Sequence, residues 1–213
     1  MNINDLKEHI MGIQPPKRRL PIFVLIDTTK GARDSFKKYL ECCKHILSDL
    51  RNDPYALETA YLCLVSAGKQ TTLLCNSSLD DTAIDTAIDS IRYEGGDCDF
   101  VRSLTDFHQI ISGIYIRATY EKVVDRAPQI FILGDATIKD LPENIISFYR
   151  RYSTRYFTDN YSQYSEELRR IGTPFSYGEK IDLYYWVEAP ISSGPSTQDI
   201  ELPPPPEDAD III

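Results

Sequence analysis

Hydrophobic positions along this chain fall into two kinds of run. Residues 21–26, Pro-Ile-Phe-Val-Leu-Ile, are apolar without alternation, the pattern of a strand buried on both faces of a parallel sheet. Residues 127–135, APQIFILGD, repeat it, and both runs end on an aspartate, Asp27 and Asp135. The other kind has helical spacing. Phe36, Leu40, Cys43, Leu47 and Leu50 recur three or four residues apart, which predicts an amphipathic helix over 34–51. Asn52-Asp53-Pro54 stops it. Residues 57–68 (LETAYLCLVSAG) and 70–76 (QTTLLCN) read as two strands joined by a tight Gly68-Lys69 turn, an antiparallel hairpin at a sheet edge.

The same spacing predicts a short helix over 3–13, ended by Pro15 and Pro16, a helix over 80–92 and a long one over 100–125. A helix over 162–172 closes on Gly172, and another is expected over 178–188. Asp140 is the expected N-cap of a helix starting near Leu141. Residues 153–159, STRYFTD, form a further strand candidate. Strands alternating with helices imply an α/β protein with a central, mostly parallel sheet, one antiparallel edge strand and helices on both faces. Ligands of such sheets bind beyond the carboxyl ends of the strands, where Asp27 and Asp135 stand.

Composition narrows the picture. The chain has 213 residues, 42% hydrophobic, and a formal net charge of -9. That acidity argues against nucleic acid as a partner, because phosphate contacts need clustered Lys and Arg. Lys17-Arg18-Arg19 is the local exception and reads as a solvated strand entry. No apolar stretch is long enough to cross a bilayer. Of the five cysteines, Cys42, Cys43, Cys63, Cys75 and Cys98, none forms a CxxC pair, and a reduced, cytoplasmic protein is expected. The last sixteen residues, 198–213, hold five acidic residues, four consecutive prolines and no basic residue. They are either a tail lying on the surface or an extended segment presented to a partner. In the second case Pro203 and Pro204 provide stiffness and Ile211 and Ile213 an apolar hook.

Five segments carry a family resemblance: RRLPIFVLIDTTKG, DPYALETAYLCLVS, the Gly95-Gly96 pair, IFILGDATIKD and LYYWVEAPISSGPST. In this order they resemble bacterial von Willebrand factor A (VWA) domains, in particular the tellurium-resistance-associated, TerY-like subgroup. The resemblance covers 17–197, leaving 1–16 as an N-terminal amphipathic extension and 198–213 as the acidic proline-rich tail. It implies a Rossmann-like fold with a metal-ion-dependent adhesion site. In that site Asp-x-Ser-x-Ser after the first strand, a threonine from a second loop and an aspartate after the fourth strand hold Mg²⁺. Such an ion takes oxygen ligands octahedrally, and a partner's carboxylate can complete its shell.

Carried over residue by residue, the metal set is Asp27, Thr29, Asp97 and Asp135, with Lys30, Gly31 and Asp99 at its rim. Thr29 keeps a hydroxyl, Gly31 replaces the second serine, and Asp97 stands where the threonine is usual. Asp27, Asp97 and Asp135 would set three negative charges against a divalent cation, an arrangement that repels a further carboxylate. Without a cation, one of the three should be protonated or turned away, or Lys30 could serve as a built-in counter-ion. The site is therefore read as degenerate, with an altered but working Mg²⁺ site as the alternative.

Catalytic patterns are sparse. His9, His45 and His108 lie in separate predicted helices, no GxSxG elbow occurs, and DTTKGA lacks phosphate-loop spacing. Metal-assisted phosphoester hydrolysis is retained only as a lesser alternative; no enzyme activity is expected. Tyr149, Tyr152, Tyr156, Tyr161, Tyr164, Tyr177, Tyr184 and Tyr185 crowd the last third. They either pack helices onto the sheet or form a protein-binding face. The expected function is a cytoplasmic protein–protein adaptor or scaffold acting through the strand-end face. The resemblance adds a setting of tellurite or other stress resistance. It also suggests partners: an intact VWA paralogue, a protein kinase or a phosphatase.

Overall fold

The computed structural model describes residues 20–95, 99–120, 127–134, 138, 140–159 and 166–181. The predicted helix over 3–13, residues Asp97 and Asp135, and the tail lie outside them. β1 (Leu20–Asp27) is buried along its whole length. A short 3₁₀ turn, Lys30–Ala32, leads into α1 (Phe36–Asn52). α2 (Pro54–Thr59) precedes β2 (Ala60–Ala67), β3 (Thr71–Ser78) and α3 (Thr82–Ser90). α4 (Phe100–Tyr120), β4 (Gln129–Leu133), α5 (Glu143–Arg151), β5 (Ser153–Phe157), α6 (Glu166–Ile171) and β6 (Thr173–Pro174) follow.

The six strands form one sheet in the order β3-β2-β1-β4-β5-β6. All neighbours are parallel except the β2–β3 hairpin at the edge. The alternation of β1 divides the core. Leu20, Ile22, Val24 and Ile26 pack with Tyr39, Cys42, Ile46 and Leu50 of α1 and with Ile84 and Ile88 of α3. Phe23 and Leu25 pack on the other face with Leu104, Phe107 and Ile111 of α4 and Tyr149 of α5. Each such side chain contributes roughly 1.5–3 kcal/mol on burial, so β1, apolar on both faces, anchors both layers.

Several expectations change. The strand foreseen from Leu57 begins at Ala60, because Asp53 does not simply end α1. Its carboxylate accepts the Tyr55 and Ala56 N–H groups at 2.8 and 3.1 Å and caps α2, with Pro54 in its first turn. Asp140 is not the cap of α5: it has φ 57°, and Pro142 precedes a helix that starts at Glu143. The strand candidate at 153–159 is β5, paired with β4. Gly172 does end α6, but its φ is not positive. A methyl group there would lie 2.4 Å from the Thr154 carbonyl oxygen, so the residue is needed for close approach of two backbones. Residues 178–181 of the expected last helix are not helical. Tyr149 and Tyr156 are core residues, not an interface: the Tyr149 hydroxyl donates to the Leu104 carbonyl at 2.7 Å.

Cys42, Cys43 and Cys63 are buried thiols. Burial pushes Cys42 up to about 12 and raises Cys43 and Cys63 as well, so they behave as small hydrophobes. No described helix is long and apolar enough to cross a membrane.

Candidate functional site

The strand order reverses direction at β1 and β4, which leave the first and second halves of the fold side by side. In open α/β sheets that switch point opens a crevice at the carboxyl ends. Asp27 closes β1 there, level with Ala67 of β2, while Ile26 pairs with Leu133 of β4. The next β4-side residue, Gly134, lies against it: a methyl group on Gly134 would stand 3.0 Å from Asp27 Cβ and 2.5 Å from Phe100 Cζ. Glycine therefore lets Asp27, the strand end and the first turn of α4 meet.

Asp27, Thr28 and Thr29 are all buried. Asp27 Oδ1 accepts the Thr29 N–H at 2.8 Å, a local turn typical of aspartate. Thr28 continues the sheet, its N–H and hydroxyl both donating to the Ala67 carbonyl at 2.7 and 3.0 Å. Its own carbonyl accepts the N–H groups of Glu94 and Gly95, each at 3.2 Å. The loop after α3 is thus fastened over the end of β1, and Gly95 takes the φ of 64° this requires. Lys30 and Gly31 stand exposed on the 3₁₀ turn at the rim.

Two further residues of this surround carry no signal in the sequence. Glu94 Oε2 accepts the Lys69 N–H at 2.8 Å. It lies over Gly68, where a methyl group would meet Glu94 Oε2 at 2.1 Å and Thr28 Oγ1 at 2.6 Å. Asp159, two residues beyond β5, binds the Lys38 ammonium at 2.5 Å and accepts from Ser35 at 3.3 Å. The only sequence signal for this surround was the glycine directly after each of two strands, Gly68 and Gly134.

Of the predicted metal set, Asp27 and Thr29 come together and Asp97 and Asp135 lie outside the described residues. The described donors are carboxylate and hydroxyl oxygens, the chemistry that a hard cation such as Mg²⁺ prefers. No group of three His, Cys, Asp or Glu side chains able to hold a metal occurs among the described residues. Asp99 Oδ1 accepts the Val101 N–H at 3.0 Å and so caps the start of α4.

No family model matches the sequence, and no curated protein does. Solved structures are similar in fold. The SpRpn10 VWA domain superposes with a TM-score of 0.50 at 12% identity, covering 83% of this chain and 98% of that one. Proximal thread matrix protein 1 from the mussel byssus gives 0.51 at 10% identity, covering 75% of this chain and 44% of that one. A von Willebrand factor type A structure from Catenulispora acidiphila gives 0.48 at 14%, covering 74% and 38%. The chain spans less than half of the last two. Topology and superposition agree on a Rossmann-like VWA fold.

Proposed function

We propose that this chain, a VWA fold with an aspartate sealed into its strand-end crevice, is a protein–protein interaction adaptor with a degenerate metal site. The observation that carries the reading is the state of Asp27. It is fully buried, bonded to the Thr29 N–H, and covered by the loop that Thr28 holds in place. A carboxylate used in this way serves to shape the face. The exposed rim, Lys30 and Gly31, is then the contact, and Gly31 offers no hydroxyl for a metal.

The proposal extends to the cytoplasm as its setting, to tellurite or other stress resistance, and to a non-enzymatic role. Candidate partners are an intact VWA paralogue, a protein kinase or a phosphatase. Pro203, Pro204, Ile211 and Ile213 would make a second contact. The stress setting and these partners rest on the sequence resemblance, the cytoplasmic setting on cysteine usage, the non-enzymatic role on the sparse catalytic motifs, and the tail contact on its acidic, proline-rich composition.

A second reading keeps Mg²⁺ at the site, held by Asp27 and Thr29 with Asp97 and Asp135 completing the set. A bound ion would supply a coordination position for a partner's carboxylate. The oxygen-only donor chemistry around Asp27 favours it. Metal-assisted phosphoester hydrolysis is the least supported alternative.

Titration calorimetry with Mg²⁺ separates the readings. The degenerate-site proposal expects no saturable heat from the natural chain and binding gained by the double change Gly31→Ser and Asp97→Thr. Saturable heat from the natural chain, lost in Asp27→Ala, would replace the proposal with metal-dependent adhesion.

A further inference from the structure

The two edges of the sheet are finished differently. An edge strand presents a row of unpaired N–H and C=O groups, and proteins blunt it with extreme shortness, proline, charge or a bulge. β6 meets two of these conditions, being two residues long with Pro174 as one of them. β3, at the other edge, is eight residues long, Thr-Thr-Leu-Leu-Cys-Asn-Ser-Ser, with no proline, no glycine and no charged side chain. The uncharged stretch runs from Gln70 to Leu79 in a chain of net charge -9. The Ser78 carbonyl accepts the Asp81 N–H at 3.0 Å. No other backbone group on the outer side of β3 has a backbone partner among the described residues. Leu73 is 43% exposed, more than any other leucine among the described residues.

One protective device is present, and its position matters. The register with β2 slips between Leu64 and Val65, so that Leu74 has no partner there. Leu74 and Cys75 both pack on the side of the sheet that α1 and α3 cover. Leu73 and Asn76 pair with Val65 and Cys63, which belong to the core on the α4 side. Thr71 is on that side too, its hydroxyl donating to Asp106 of α4 at 3.1 Å. The bulge thus makes β3 symmetric about its middle. Two copies set antiparallel about a two-fold axis between Leu74 and Cys75 place Leu74 against Cys75, Leu73 against Asn76, Thr72 against Ser77 and Thr71 against Ser78. Both members of each pair then lie on one side of the sheet, as cross-strand neighbours must. A strictly alternating strand could not achieve this about the same centre. Charge agrees with the register. Lys69 of one copy stands across from Asp80 of the other, so unlike charges meet and like ones do not, whatever neighbour Asp80 keeps in its own copy.

We propose that β3 pairs antiparallel with β3 of a second copy, joining two six-stranded sheets into one across a two-fold axis. A strand from another protein would satisfy the same backbone groups. The match of sides and of flanking charge about one centre is used in full only by a second copy. The pairing involves neither Asp27 nor the 3₁₀ turn, and it does not depend on the adaptor reading of the strand-end face.

The test is sedimentation equilibrium of the full chain. The mass should rise from 24.4 kDa towards twice that value as concentration increases from about 1 to about 100 μM, the range suited to a contact of one strand pair. Leu73→Lys with Asn76→Lys, both exposed positions, sets like charges directly opposite one another and should hold the chain monomeric. Leu73→Glu with Asn76→Glu should do the same. An equal mixture of the two variants, each shown by circular dichroism to be folded, should recover the dimer. In the natural chain, amide hydrogen exchange of 71–78 should slow as concentration rises, a readout that needs no variant. A constant mass of 24.4 kDa would overturn the proposal and leave the edge to a strand from another protein. It would also be overturned by a dimer that the lysine pair does not weaken, by a folded mixture that stays monomeric, or by exchange at 71–78 that ignores concentration.

Discussion

The two ends of the sheet are built on opposite terms. At the carboxyl end, polar groups are buried and answered by backbone: Asp27 by the Thr29 N–H, Thr28 by the Ala67 carbonyl. At the amino end, charges stand in solvent on the last turns of α5 and α6, where Arg170 pairs with Glu143. A buried polar group is costly to disturb and contributes shape. An exposed one is cheap to change and contributes charge. The first end should therefore answer mutation through stability, and the second far less.

Glycines provide the strongest test, and they cut across that rule. Gly172→Val at the amino end puts a side chain into the Thr154 carbonyl, backbone that cannot step aside. The expected loss is about 3 kcal/mol, the upper range for overpacking, read as a fall in the denaturant midpoint. Gly68→Ala at the carboxyl end meets first the tip of the Glu94 side chain, which can swing away. It should cost less than half as much. A larger loss at Gly68 would mean that the Glu94 and Thr28 contacts are rigid parts of the face.

Asp27 comes next. Asp27→Ala removes the acceptor of a buried N–H and should destabilise by about 2 kcal/mol. Asp27→Asn keeps an oxygen in the same place and should cost much less. Equal losses would show that the negative charge, and not the hydrogen bond, matters at this position, and would sharpen the case for a cation.

The smallest effect is in pH. Burial lowers the pKa of His108, whose ring meets the edge of Phe148 at 4.2 Å, from its ordinary 6.5. The unfolded chain therefore takes up a proton first as pH falls. Stability is full above about pH 6.5 and declines below it, towards the lower folded value. His108→Leu should flatten that slope in thermal melts between pH 7.5 and 5; an unchanged slope would show that His108 is solvated in the native state.

Much of the fold was legible because burial writes periodicity. The runs 21–26 and 127–135 are apolar without alternation since both faces of β1 and β4 are covered, and the hairpin turn at Gly68 announced the antiparallel edge. What was missed were short pieces held by neighbours. α2 is one capped turn and a half, and β6 is two residues that pair with Arg155 and Tyr156. Neither is long enough to show a period. The tyrosines misled in the same way, because composition records their number and not that Tyr149 reaches the Leu104 carbonyl across the core.

The candidate site divides likewise. Asp27 was readable from its place at the end of an apolar run, since ligands of such sheets bind beyond the carboxyl ends of the strands. That Thr28 binds the loop at Glu94 and Gly95, that Gly134 brings Phe100 against Asp27, and that Asp159 returns to Lys38 depend on segments 34 to 121 residues apart in sequence. Local pattern decided which residues would be strand, helix or turn, because each such choice is made within a few neighbours. Tertiary packing alone decided which loops share an end of the sheet, because strand order is set by how distant faces bury one another.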